Sequence, residues 1–114
     1  MTNIVLIVGN LGADPATRST SGGDITTITV ATSRRWNDKK TGEAKSETEW
    51  HRVTCFNGLG KNVAKYTRKG SKVSVQGRLH YSKWQAQDGT DKYGVEIYAD
   101  EVGFLDRKSE GGDS

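Results

Sequence analysis

Hydrophobic and polar residues alternate along most of this chain with a period of two. From Lys72 to Tyr81, "KVSVQGRLHY" puts Val73, Val75, Gly77 and Leu79 on one side and Lys72, Gln76, Arg78 and His80 on the other, the pattern of a half-buried strand. "DITTITVATSRRW" (Asp24 to Trp36) reads as another strand, in which Ile28 and Val30 share parity with Trp36, so exposure of that ring calls for a bulge or strong twist. "YGVEIYADEVGFL" gives a last strand with Tyr93, Val95, Ile97 and Ala99 as its inward set. "NIVLIV" (Asn3 to Val8) is apolar at both parities, so the face carrying Ile4, Leu6 and Val8 calls for a cover besides the core, and a second subunit would supply it.

Between these runs the punctuation changes. Gly9 and Gly12, free to take positive φ, turn the chain before Pro15, and "NDKKTGEAKSETE" (Asn37 to Glu49) reads as a charged hairpin loop around Gly42. "NGLGKNVAKYTRKG" shifts to helical spacing through Leu59, Val63 and Tyr66, with Arg68 and Lys69 in the last turn and Gly70 as the cap. With "TEWHRVTCFNG" (Thr48 to Gly58) as the third strand, the order is three strands, a helix, then two strands. This predicts an all-β protein, a five-stranded OB-fold Greek-key barrel with one short helix between strands 3 and 4, although other small β barrels share the pattern. Residues 1–105 form the expected domain, and 106–114, the polar stretch "DRKSEGGDS", form an expected disordered end.

The third strand carries an inversion. Trp50, Arg52, Thr54 and Phe56 share one side, while His51, Val53 and Cys55 share the other, so the larger rings travel with the charge and the small apolar residues take the core side. Trp36 follows Arg34 and Arg35, and Trp84 follows Lys83 on the outward parity of its strand. Core packing is the ordinary place for a large ring. Here Val, Ile and Leu already fill the inward positions. Rings interleaved with cations are what an unpaired nucleic-acid strand requires, since it exposes flat bases along a phosphate chain. The candidate binding set is therefore Trp36, Trp50, Phe56 and Trp84 with Arg34, Arg35, Lys39, Arg52, Lys69, Arg78 and Lys83. Lys39 lies in a basic loop that suits either wrapping a strand or keeping an exposed hairpin soluble. His51 faces away from this side, which favours packing or an interface, and His80 reads as outward and solvated.

Charge agrees with a polyanionic partner. The net charge is +3, but residues 96–114 hold two basic and six acidic side chains, whereas the preceding 95 residues hold fifteen basic and eight acidic. A single cysteine and two histidines supply neither a disulfide framework nor a zinc-ligand spacing, so no metal or other cofactor is expected. "IVLIV" is too short to span a membrane and follows no basic leader, which places the expected protein in the cytoplasm. Glu47, Glu49 and Arg52 offer a nuclease only weak footing because Glu49 and Arg52 have opposite parity. No enzyme is expected. An OB module that docks a protein partner through the same face is the competing reading.

The stretches "LIVGNLGADP", "TEWHRVTCFNG", "YTRKGSKVSVQGRL" and "SKW", in this order and spacing, closely resemble the bacterial-type single-stranded DNA-binding protein (SSB) family over Ile4 to about Phe104. The resemblance implies a homotetramer of OB-fold subunits that wraps single-stranded DNA during replication, recombination and repair. It puts Trp36, Trp50, Phe56 and Trp84 on the family's base-stacking positions and His51 at the subunit interface, alongside the two-sided Ile4–Val8 segment. There are two departures. Gly58 stands where members often carry a phosphate-contacting lysine, and the chain ends "EGGDS" in place of an acidic Pro-Phe tip, so recruitment of replication and repair proteins through such a tip is not expected.

Overall fold

The computed structural model describes residues 1–106; the expected disordered end lies outside the described residues except for Asp106. The elements run β1 (Val5–Leu11), β2 (Ala16–Thr20), β3 (Gly23–Asn37), β4 (Ala44–Phe56), α1 (Asn57–Tyr66), β5 (Lys72–Gln85) and β6 (Asp91–Phe104). Among the described residues there are six strands, not five, with four before the helix. The added strand β2, "ATRST", pairs antiparallel with β3 from Ala16↔Thr27 to Thr20↔Gly23 and lies at one edge of the sheet. It has no large apolar residue, so hydrophobic periodicity had nothing to register. Backbone pairing and small hydroxyl contacts hold it, among them Thr17 with Thr26 at 2.9 Å.

The sheet order is β1-β5-β6-β4-β3-β2, and β1 also pairs with β3 at Asn10↔Ala31 and Leu11↔Val30. The pairings therefore return from β3 to β1. β6 joins β4 in the one parallel contact among the described residues, at Val53↔Ile97 and Thr54↔Tyr98. The core is what the inward parities leave inside: Leu11, Ile28, Val30, Val53, Cys55, Val73, Val75, Ile97 and Ala99, with Val63 from α1. α1 packs on β3 and β4, and Gly60 is buried where a side chain would meet Thr26 and the Cys55 carbonyl.

Several local expectations change. Gly9 lies within β1 and is not at positive φ; its role is close approach, because a Cβ there would stand 2.1 Å from the Ala31 carbonyl oxygen. Gly12 likewise leaves room for the Trp50 ring. α1 ends at Tyr66, earlier than the helical spacing predicts. The Thr67 amide and hydroxyl both donate to the Val63 carbonyl, so Arg68 and Lys69 lie past the helix and Gly70, at φ 93°, turns the following loop. The loop between β3 and β4 is only residues 38–43, because strand pairing continues without a register shift to Asn37↔Ala44. No bulge turns Trp36 outward. The β3–β4 hairpin instead runs on past the core, so a residue with core parity ends in solvent. The β5–β6 hairpin does the same, which overturns the inward assignment of Tyr93 and Val95: both are exposed, and only Ile97 and Ala99 reach the core.

Cys55 is fully buried, and burial pushes its thiol from 9.0 to about 11 by penalising the thiolate. Folding thus favours the neutral thiol, so its contribution to stability is intact below pH 9.0 and is lost as pH rises through about 11. The native protein is expected to resist a thiol-alkylating reagent at mildly alkaline pH, while the urea-unfolded chain reacts readily; mass spectrometry of the labelled samples checks this.

Candidate nucleic-acid interface

β4, β6 and β5 present one continuous face. Period-two alternation places Trp50, Arg52, Thr54 and Phe56 there from β4, and Arg78, His80, Ser82 and Trp84 from β5. Between them β6 contributes Gly94, Glu96 and Tyr98, which sit opposite Ser82, His80 and Arg78 in the antiparallel register. The rings are open: Trp50 is 62% exposed, Trp84 53%, Trp36 40% and Phe56 38%. Trp50 lies over Gly12 and Trp84 over Gly94, so each indole rests on backbone that carries no side chain to displace it.

Tyr98 ties the middle of this face together, and the sequence reading missed it. Its ring meets Phe56 edge to face at 5.0 Å, stacks on His80 at 4.1 Å, and lies 5.1 Å from the Arg78 guanidinium carbon. His80 is therefore half-buried and stacked, which corrects its reading as simply solvated. The outward parity of Tyr98 was available in the sequence, but a lone tyrosine on a strand gives no signal until β6 is placed between β4 and β5.

The remaining candidates divide by position. Arg34 sits 4.5 Å from the Trp36 ring and 3.6 Å from Glu47, on the side of the β3–β4 arm opposite to Arg35. Trp36 thus shares the arm with Trp50's strand but lies on the other parity. A hollow of about 490 Å³ at the arm's end is lined by Arg35, Trp36, Asn37, Ala44, Lys45 and Ser46. Lys39 is exposed in the loop beyond, where the Asp38 carboxylate accepts hydrogen bonds from the amides of Lys40 and Thr41. Lys83 lies on the reverse of the β5–β6 arm from Trp84, 3.5 Å from Asp91 and 5.8 Å from the Tyr93 ring. Lys69 stands apart from the aromatic face, on the loop after α1, where its amide donates to Asp14. Gly58 is exposed in the first turn of α1.

The outward face of β1 carries exposed Leu6 and Val8, with exposed Ile4 just before the strand. His51 does not join it. It is half-buried on the core side of β4, 2.9 Å from the Thr32 hydroxyl, and lines a hollow with Val5, Ile7, Leu79 and Val95. Among the described residues no helix is long and apolar enough to cross a membrane, and no group of three or more metal-ligating side chains is assembled.

An OB-type β fold with an open face of rings and cations defines a binding protein. The comparisons narrow the class. Residues 2–105 match the Single-strand binding protein family, and the chain belongs to that family. It is also similar to the solved "Plasmodium falciparum SSB complex with ssDNA", with 34% identity, a TM-score of 0.85, and coverage of 93% of this chain and 97% of that chain. A family defined by binding agrees with the expectation that the chain is not an enzyme.

Proposed function

We propose that this protein binds and protects single-stranded DNA without sequence-specific recognition, in replication, recombination and repair, by stacking bases on Trp36, Trp50, Phe56 and Trp84 while Arg34, Arg35, Lys39, Arg52, Lys69, Arg78 and Lys83 hold phosphates. The observation that carries this reading is the exposure of all three indoles on and beside a cationic sheet face, in a chain whose core is filled by aliphatic side chains. Membership in the single-strand binding family and likeness to an SSB–ssDNA complex support it. Residues 1–105 serve as the binding domain in this reading. The unit is a cytoplasmic homotetramer that uses the apolar strip of Ile4, Leu6 and Val8 as contact surface, with His51 acting from the core side of β4 at another part of the interface.

Titration with oligo-dT tests the reading. Tryptophan fluorescence is expected to fall on binding, and log K to decline against log[salt] with a slope of about −0.7 for each phosphate neutralised. Light scattering on the same sample should return the mass of four chains. Unchanged fluorescence at saturating oligomer would falsify the stacking mechanism.

A further inference from the structure

A carboxylate sits in the middle of the cationic face. Glu96, on β6, helps line a hollow of about 360 Å³ together with Arg52 from β4, Ser82 and Trp84 from β5, and Gly94 and Val95. The hydroxyl of Thr54, itself buried, donates to Glu96 Oε1 and so fixes the carboxyl group in place, leaving Oε2 as an acceptor. No ion pair among the described residues engages Glu96. A negative charge here opposes the phosphate-holding work of the surrounding arginines, so its chemistry suits a base edge and not the backbone.

We propose that Glu96 makes this hollow a base-reading position that favours bases bearing an exocyclic amino group, cytosine foremost, over thymine; the proposal rests on the single-strand reading above. A base stacked on Trp84 lies with its edge over the hollow. Cytosine then offers its N4 amino group to Glu96 Oε2, whereas thymine presents the O4 carbonyl, lone pair against lone pair. Arg52 supplies the compensating cation for the adjoining phosphate. Binding elsewhere on the face stays sequence-tolerant, and this position adds a bias to it.

Competition titrations with oligo-dC and oligo-dT of equal length, on the wild type and on Glu96→Gln, test the proposal. Glutamine keeps the shape and the acceptor for Thr54, and its amide turns to donate to O4. The ratio of dC to dT affinity is expected to fall by about tenfold in the variant. An equal gain for both oligomers would mean that Glu96 acts only through its charge, and that result, or no change at all, overturns the proposal. A second measurement needs no substitution: an oligomer of the 2-pyrimidinone nucleoside, which is cytosine without its amino group, should bind the wild type about tenfold more weakly than oligo-dC, and equal affinity overturns the proposal. If no oligomer quenches fluorescence in either protein, the single-strand reading itself has failed and this one falls with it.

Discussion

Trp84→Ala and Trp50→Ala each weaken binding to oligo-dT by about 1–3 kcal/mol, roughly 5- to 150-fold in Kd. Both indoles are more than half exposed and rest on glycine backbone, Trp84 on Gly94 and Trp50 on Gly12. Their removal therefore opens no cavity in the core. The thermal midpoint should stay close to that of the wild type, and with that control the affinity loss measures stacking and not unfolding. Phe56→Ala is a less clean probe because it also removes the edge-to-face partner of Tyr98 and loosens the group that holds Arg78 and His80. A full-strength titration by Trp84→Ala would show that the ring is exposed for some other purpose.

The largest effect on stability is expected at Gly9. A methyl group there would stand 2.1 Å from the Ala31 carbonyl oxygen and 3.0 Å from a Val30 methyl, and backbone cannot swing aside as a flexible side chain can. The strain falls where β1 and β3 meet at only two register positions. Gly9→Ala should thus cost on the order of 3 kcal/mol, at the upper end for overpacking, because relieving the clash separates the strands that return the pairing to β1. Urea denaturation should show a lowered midpoint with an unchanged slope. Gly58→Ala is the matched contrast. It is exposed in the first turn of α1, and a Cβ there meets nothing within 4 Å, so better helix propensity should leave stability unchanged or raise it by up to about 1 kcal/mol. A midpoint for Gly9→Ala equal to the wild type's would mean that the two strands are not held this closely in solution.

The strands that build the core were legible because they alternate. Val73, Val75, Gly77 and Leu79 take the inward positions their spacing requires, and the charged and ring-bearing side of Trp50 to Phe56 faces out. What the sequence concealed has physical causes. β2 is written in threonine, serine and arginine, so its pairing is a matter of backbone hydrogen bonds that no hydrophobic period reports. Parity fails for Trp36, Tyr93 and Val95 because alternation says which side of a strand a residue occupies but not whether the core extends that far along it. Likewise, helical spacing carried α1 past Tyr66 because nothing in a period reveals that a threonine will take the last carbonyl. At the interface, individual rings and cations could be named one by one. The joining of Phe56, Tyr98, His80 and Arg78, and the pinning of Glu96 by Thr54, depend on β6 lying between β4 and β5, which is a fact of topology.

The position of β6 also bears on how the chain comes to be folded at all. It is the last strand among the described residues, it alone of them bridges β5 to β4, and it brings Ile97 and Ala99 to a buried core whose other members all precede Leu79. A ribosome must have passed Ala99 before the interior is sealed, and the seam at Val53 and Thr54 waits for partners more than forty positions downstream. Until β6 has been made, nascent chains therefore carry the β6-facing edge of β4 unpaired, and the interior closes only once that strand is in place.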